Sequence, residues 1–248
     1  MSIIKPETVE ERIKDRLATH SAILMDMDGT LFEQFQFVSG AFMLVADFLS
    51  EKLQIDKNRS FEELMEIARE RTMLTGDHFN VFLNRHGIFD RNTLEEMIIT
   101  YHSFHPTQLT PYDDVVPFLE KTKSDGYLLG LVSSGNEETQ RSKLNALQLS
   151  RYFDCVSFCP GKKTPEIFLP VLEKLNTAPE NAVCIGDNPV EDFFYAKKMG
   201  MTTIRLLRGQ YRTLRPDTEH DAHFEFETFP QIYEFLASLN RPNGPGGI

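Results

Sequence analysis

The chain has 248 residues, of which 41% are hydrophobic and 25% are charged, a composition that excludes disordered, collagen-like and fibrous proteins. Its formal net charge is −11 and no run of Lys or Arg exceeds two residues, so it lacks the clustered cations that bind nucleic acid. The longest apolar runs fall far short of the ~20 residues that a membrane-spanning helix needs, so we expect neither nucleic acid nor a membrane as partner.

The N-terminal segment predicts a helix rather than a secretion signal. Within Glu7–Thr19 apolar residues recur at four-residue spacing, and the segment has acidic residues and no apolar signal core. The cysteines, Cys155, Cys159 and Cys184, are too few and odd in number for a disulfide framework. We therefore expect reduced thiols and a cytoplasmic location.

From Ala22 onward, short apolar runs alternate with segments of helical period. The runs that predict strands are Ala22–Met25, Tyr127–Val132, Phe153–Phe158, Ala182–Ile185, Thr202–Leu207 and His223–Phe226. The segments that predict helices are Asn136–Leu147, Pro165–Leu175, Pro189–Met199 and Pro230–Leu239. This alternation predicts an α/β fold in which helices cover both faces of a doubly wound parallel sheet. The Gly- and Pro-rich tail, 241–248, predicts no regular element.

Between Phe32 and Pro106 the strand pattern stops and only helical patterns remain. These predicted helices are Gly40–Leu53, a helix capped by Ser60, Asp77–Arg85 and Thr93–Tyr101. The segment is too long for a connecting loop. We therefore predict an all-helical cap domain at residues 33–106, inserted into an α/β core domain made of residues 1–32 and 107–248.

Polar residues follow the predicted strands at the points where the strands end. Carboxylates follow the first and fourth strands, a hydroxyl follows the second and an ammonium follows the third. The side chains in question are Asp26, Asp28, Ser133, Lys162, Asp187 and Asp192. Each alone has a simple structural explanation, such as a turn or a helix cap. Because parallel strands present their carboxyl ends at one edge, the joint occurrence predicts a site there.

The residue types at this edge suit phosphoryl transfer. Converging carboxylates repel one another unless a metal or protons neutralise them, and Mg²⁺ prefers oxygen ligands and phosphate oxygens. A metal-held carboxylate can attack phosphorus, and a second carboxylate two residues on can exchange protons with the leaving oxygen and with water. A lysine and backbone amides bind the remaining anionic oxygens.

Four motifs in this order resemble the haloacid dehalogenase (HAD) superfamily of phosphohydrolases. They are DMDGT at 26–30, LVSSG at 131–135, KKTPEIF at 162–168 and CIGDNPVED at 184–192. The insertion after the first motif is similar to the helical C1-type cap of that superfamily. The resemblance implies a HAD Rossmann-like core, which agrees with the doubly wound sheet predicted above.

Carried over residue by residue, the resemblance implies catalytic roles for four side chains. Asp26 matches the nucleophile, and Asp28 matches the general acid and base. Ser133 matches the hydroxyl that binds the phosphoryl group. Lys162 matches the lysine that neutralises phosphate and orients the nucleophile, whereas Lys163 falls where the family commonly has proline.

The resemblance also implies a Mg²⁺ cofactor and a set of binding residues. The implied metal ligands are Asp26, Asp28 through its backbone carbonyl, Asp187 and Asp192. The phosphoryl group would meet Gly29, Ser134 and Gly135. In the cap, Arg69 and Arg85 are candidates for binding the leaving group, because guanidinium groups suit phosphate or carboxylate. Alternatively, they pair with neighbouring glutamates on the helix surface.

These residues predict a Mg²⁺-dependent phosphatase that hydrolyses a small phosphomonoester through an aspartyl-phosphate intermediate. The expected partner is a small phosphorylated metabolite, and the expected state is a monomer or small homo-oligomer. A sugar-phosphate mutase of the phosphoglucomutase type remains an alternative, because it uses the same pair of aspartates. A non-catalytic binding module on the same fold is the other alternative. Asp28 disfavours a dehalogenase, which resembles this fold but lacks that aspartate.

Overall fold

A computed structural model describes residues 21–239 of the chain. The helix predicted at Glu7–Thr19 and the tail 241–248 lie outside the described residues. Within them the chain forms one parallel sheet of six strands in the order β3-β2-β1-β4-β5-β6. The strands are β1 (Ala22–Met25), β2 (Leu128–Ser134), β3 (Cys155–Cys159), β4 (Ala182–Gly186), β5 (Thr202–Leu206) and β6 (Phe224–Phe226).

The strand order reverses beside β1, whose neighbours are β2 on one side and β4 on the other. Met25 at the end of β1 is in register with Ile185 of β4. The residues that follow these two strands therefore emerge side by side. A crevice at the carboxyl ends of strands, at such a switch point, is the usual ligand site of a doubly wound sheet.

After β1 the chain forms four consecutive helices, which we call the helical insertion. They are α1 (Phe35–Leu53), α2 (Lys57–Arg71), α3 (His78–Arg85) and α4 (Arg91–His102). They enclose an apolar core of their own, which contains Phe42, Leu64 and Phe82. The all-helical character agrees with the sequence prediction, whereas the domain bounds 33–106 remain a prediction.

The remaining helices cover the two faces of the sheet. They are α5 (Val115–Ser124), α6 (Glu137–Ala146), α7 (Pro165–Lys174), α8 (Pro189–Asp192), α9 (Phe194–Lys198) and α10 (Phe229–Leu239). Side chains alternate across a strand, so Ile23 packs on the face that carries α5, α6 and α10, and Leu24 packs on the face that carries α7 and α9. The doubly wound α/β prediction is confirmed.

Several element bounds differ from the sequence predictions. Helix α2 begins at Lys57, because the side chain of Asp56 accepts a hydrogen bond from the Arg59 amide and caps it; Ser60 is buried inside the helix and does not cap it. The helix predicted at Pro189–Met199 is two short helices separated at Phe193. No helix within residues 21–239 is long and apolar enough to cross a membrane.

Candidate active site

The turn after β1 places Asp26 beside the end of β4. The Asp26 amide donates a hydrogen bond to the Ile185 carbonyl at 2.9 Å, which extends the pairing of the two strands by one residue. Gly29 then turns the chain with a φ of +75°, a conformation that glycine adopts without strain. A Cβ at Gly29 would overlap the carboxylate of Asp187. The glycine therefore lets the turn approach Asp187 closely.

Three carboxylates meet in this crevice. Ligand oxygens of Asp26, Asp187 and Asp192 lie within 4.8 Å of one another, and all three residues are buried. Asp187 accepts a hydrogen bond from the Thr30 hydroxyl through Oδ1, while its Oδ2 is buried without a hydrogen-bond partner among the described residues. Asp192 accepts from the amide of Asn188. Sequence reasoning selected all three carboxylates as metal ligands, and the structure brings them together.

The lysine that reaches these carboxylates is Lys163. Its Nζ lies 2.5 Å from Oδ1 of Asp26 and 2.5 Å from Oδ1 of Asp192, and the residue is 2% exposed. Lys162, the lysine selected by sequence, is exposed at the cavity wall. The lysine of the cluster is therefore Lys163, one residue later in the chain than the sequence predicted. The segment that joins β3 to α7 sets the register here, and it points Lys163 inward.

Burial and charge perturb every ionisable group of this cluster. Burial raises the pKa of Asp26 to about 7, against the opposing effect of Lys163. Burial, then the charge of Asp26, raises the pKa of Asp187 well above its usual range, and burial also raises that of Asp192. Burial opposes the charge of Lys163, but Asp192 and Asp26 outweigh it, so the pKa of the lysine is also raised. One ammonium cannot balance three ionised carboxylates, which agrees with the raised pKa values of the carboxyl groups.

Asp28 lies at the same edge but has partners of its own. Lys143 Nζ lies 2.8 Å from Oδ1 and 3.0 Å from Oδ2 of Asp28. The side-chain amide of Gln140 donates to Asp28 Oδ2 at 2.7 Å and to the Ser133 hydroxyl oxygen at 2.7 Å. Sequence reasoning missed Gln140 and Lys143. Gln140 and Lys143 lie on the same face of α6 as Leu144, and Leu147 follows on that face. Two polar residues on an otherwise apolar helix face were therefore the sequence pattern that could have identified them.

A cavity of about 480 Å³ opens above these residues, between the sheet edge and the helical insertion. Asp26, Asp28 and Asp192 lie at its base, and Ser134, Gly135 and Lys162 form part of its wall. Met73 and Gly76 of the helical insertion line its other side, together with Gln34 and Tyr211. Ser133 is 1% exposed and lies under Gln140 rather than at the surface of the cavity.

The side chain of Gln210 links two segments that line this side of the cavity. The Gln210 amide nitrogen donates to Oε1 of Gln34 at 2.6 Å, and its own oxygen accepts from the Met73 amide at 2.9 Å. Met73 follows Thr72, whose φ of 56° and ψ of 161° are strained for a residue with a Cβ. The His78 ring nitrogen lies 2.8 Å from the Thr72 carbonyl oxygen. The contacts hold this strained turn over the site.

The two cap arginines lie elsewhere. Arg85 forms ion pairs with Glu63, Glu66 and Glu70, and Arg69 is exposed on the same surface of the helical insertion. Neither lines the cavity above Asp26. The expectation that they bind the leaving group is therefore corrected, because helix α2 directs Arg69 towards solvent and neighbouring glutamates hold Arg85.

Comparisons with known proteins agree with this architecture. The family model for haloacid dehalogenase-like hydrolases matches residues 23–206. A glyceraldehyde 3-phosphate phosphatase of Methanopyrus kandleri is 28% identical over 227 residues, which cover 88% of this chain and 97% of the relative; one of Methanocaldococcus jannaschii is 28% identical over 225 residues, or 88% and 98%. The crystal structure of a HAD phosphatase from Thermococcus onnurineus is 31% identical, with a TM-score of 0.62 and coverage of 87% and 97%.

Proposed function

This chain belongs to the haloacid dehalogenase-like hydrolase family and is a phosphoric monoester hydrolase, and we propose that it hydrolyses a small phosphomonoester with Mg²⁺ through phosphorylated Asp26. The observation that carries the proposal is the buried cluster at the sheet switch point, where three carboxylates converge and one lysine pairs with two of them. A carboxylate held in this way has the oxygen nucleophile, the countercharge and the metal-binding neighbours that phosphoryl transfer needs.

The residues of the cluster fit a divalent cation. Three buried carboxylate oxygens lie within 4.8 Å of one another, and Oδ2 of Asp187 has no hydrogen-bond partner in the described part of the chain. Oxygen ligands of this kind suit Mg²⁺, which keeps several waters and binds phosphate oxygens. Asp26, Asp187 and the Asp28 carbonyl would hold the ion, and Asp192 would support them. When bound, Mg²⁺ neutralises charge on the phosphoryl oxygens.

The first half of the reaction transfers the phosphoryl group to Asp26. Lys163 occupies Oδ1 of Asp26, so the other carboxylate oxygen is left to attack phosphorus while the bond to the leaving oxygen breaks. Asp28 gives its proton to that leaving oxygen. Ser134, at the wall of the cavity, would donate from its backbone amide to a phosphoryl oxygen. The Gly135 amide, expected to do the same, donates instead to the Cys159 carbonyl at 2.7 Å.

The second half returns Asp26 to its free form. A water oxygen attacks phosphorus as the bond to Asp26 breaks, and Asp28 accepts the proton of that water. Lys163 remains beside the departing carboxylate and stabilises its returning charge. Inorganic phosphate leaves, and both aspartates regain their starting protonation states.

The size of the cavity supports a small substrate. Its volume of about 480 Å³ lies in the lower part of the ~300–1,000 Å³ range of small-molecule sites. The relatives from Methanopyrus kandleri and Methanocaldococcus jannaschii are named glyceraldehyde 3-phosphate phosphatases. We therefore propose a phosphomonoester of about the size of a triose phosphate, with Met73 and Gly76 next to its leaving group.

The experiment that tests the proposal measures phosphate release over a panel of phosphomonoesters that includes glyceraldehyde 3-phosphate and p-nitrophenyl phosphate. We expect turnover with Mg²⁺, none after chelation, and none for Asp26→Asn, because an amide is a poor nucleophile. A bisphosphate product instead of free phosphate would identify a mutase. No release from any member in Mg²⁺, or an Asp26→Asn variant as active as the parent, would overturn the proposal.

A further inference from the structure

Two side chains of α6 contact Asp28, the acid and base of the proposed reaction. Gln140 and Lys143 lie one turn apart on the same face of this helix, and they are 2% and 5% exposed. Between them they give Asp28 three hydrogen bonds of 2.7–3.0 Å. A buried polar side chain costs free energy unless it is hydrogen-bonded, so these contacts with Asp28 are what make the burial of Gln140 and Lys143 possible. The reaction derived above assigns them no part.

Gln140 joins Asp28 to Ser133 through a single nitrogen. This nitrogen donates one hydrogen to Asp28 Oδ2 and the other to the Ser133 hydroxyl oxygen, both at 2.7 Å. A hydroxyl oxygen that accepts this hydrogen bond keeps its own proton for donation. Gln140 therefore sets Ser133 as a donor. Gly135 leaves room for this arrangement, since a Cβ there would meet the Gln140 side chain at 3.0 Å.

Lys143 fixes the carboxylate of Asp28 from a second direction. Its ammonium contacts both oxygens of Asp28 and lies 4.3 Å from the ring centre of Phe37, in the first helix of the helical insertion. Phe37 is fully buried and packs edge-on against Tyr101 of α4. The ammonium is thus held between an anion and an aromatic face, both of which favour a cation.

Resting on the proposed function, we propose that Gln140 and Lys143 are positioning residues, which hold the Asp28 carboxylate in the orientation that attack on phosphorylated Asp26 requires, while the Ser133 hydroxyl anchors Gln140 from below. In that step the water oxygen bonds to phosphorus, the bond from phosphorus to Asp26 breaks, and the water proton passes to Asp28. Hydrogen bonds to both oxygens of Asp28 hold its carboxyl group in one orientation, which places it for the proton transfer of that step.

A double-mutant cycle tests this role, with Lys143→Met, Asp28→Asn and the double variant compared by steady-state hydrolysis of p-nitrophenyl phosphate in Mg²⁺. We expect Lys143→Met to lower kcat about 10–100-fold with KM within threefold, and Lys143→Arg to recover at least a third of the parent kcat. In the Asp28→Asn background, Lys143→Met should have no further effect, because the residue acts through Asp28. Phosphorylated protein should accumulate in Lys143→Met.

The matched control is Arg141→Met, which removes a cation from an exposed position of the same helix. We expect this control to retain the parent kcat. If Lys143→Met does not fold, the same cycle is run with Gln140→Met. For this variant we also expect a lower kcat with KM little changed, and no further effect in the Asp28→Asn background. An active parent with a Lys143→Met variant as active as Arg141→Met, or equal losses with and without Asp28, overturns the inference alone. An inactive parent overturns the proposed function itself.

Discussion

The ammonium of Lys163 lies 2.5 Å from Oδ1 of Asp26. The two residues are 137 positions apart in the chain, and the lysine side chain is 3% exposed. Because a buried ammonium requires anionic partners, this contact ties the loop after β3 to the end of β1. It also makes Lys163 the lysine of the cluster, although the motif spacing favoured Lys162.

The neighbouring lysines can be distinguished by substitution. We expect Lys163→Met to lower kcat about 10²–10³-fold, the usual cost of removing one charge-stabilising donor. It should also destabilise the metal-free protein by about 3 kcal/mol, because the partners of a broken buried ion pair remain uncompensated. Lys162→Met, at the exposed wall, should cost less than tenfold. Steady-state kinetics and urea unfolding measure both effects. Equal losses for the two variants would contradict the placement of Lys163.

Gly29 offers a test of the close approach between the first turn and Asp187. A Cβ at this position would overlap the Asp187 carboxylate, so we expect Gly29→Ala to weaken Mg²⁺ binding at least tenfold and to lower kcat/KM by a similar factor or more. Its left-handed φ adds about 1 kcal/mol of destabilisation. Metal titration by calorimetry and steady-state kinetics measure the losses.

Gly87 is the matched control for this substitution. Its φ is +67°, close to that of Gly29, but nothing lies within 4 Å of the Cβ that alanine would add. Gly87→Ala should therefore carry the backbone cost without the loss of Mg²⁺ affinity. If both variants bind Mg²⁺ like the parent, contact with Asp187 is not what requires glycine at position 29.

The sheet was predictable because its central strands are buried on both faces. Strand β1 was predicted to the residue, since all of Ala22–Met25 are buried and such a strand reads as a continuous apolar run. The bounds of α2 were less predictable, because Asp56 and Ser60 are both residue types that cap helices well. Only the structure shows that the Asp56 carboxylate accepts the hydrogen bond from a free amide at the start of the helix. Local sequence does not settle such competition.

The site residues that lie at strand ends were predictable, whereas those that reach the site from a helix face were not. Asp26 and Asp187 come directly after β1 and β4, so topology alone brings them together, and Asp192 joins them from the end of the short helix α8 that follows β4. Gln140 and Lys143 reach Asp28 from within α6, a contact that depends on how the helix packs. The direction of a lysine in the short loop before α7 likewise depends on backbone torsions that motif spacing does not encode.

The unpartnered oxygen of Asp187 predicts how the metal-free and metal-bound protein will differ. Burial raises the pKa of this carboxyl well above its usual range, so its ionised form is unfavourable in the fold without a cation. We expect Asp187→Asn to raise the unfolding temperature of the metal-free protein at pH 7.5. The same variant should lose at least tenfold in Mg²⁺ affinity, and with it the rise in unfolding temperature that Mg²⁺ gives the parent.

Differential scanning calorimetry with and without Mg²⁺ separates these two effects. Asp154→Asn is the control, because Asp154 lies away from the cluster and binds Lys123 and the Leu129 amide. Its pKa is lowered, since those hydrogen bonds outweigh burial, so this variant should destabilise the protein and keep the response to Mg²⁺. An Asp187→Asn protein that Mg²⁺ still stabilises like the parent would exclude Asp187 as a ligand.

His78 makes the turn over the cavity sensitive to acid. Burial lowers the pKa of this histidine in the folded protein. At a pH between the pKa of the folded state and that of the unfolded state, only the unfolded chain binds a proton on His78. The free energy of unfolding therefore falls as the pH drops below about 6.5. We expect the parent to lose more unfolding free energy between pH 7.5 and pH 5.5 than His78→Gln, whose amide can still donate to the Thr72 carbonyl. Urea unfolding at both pH values gives the two losses, and their difference isolates His78 from the carboxylates. A variant that loses as much as the parent would show that His78 does not hold this turn in its neutral form.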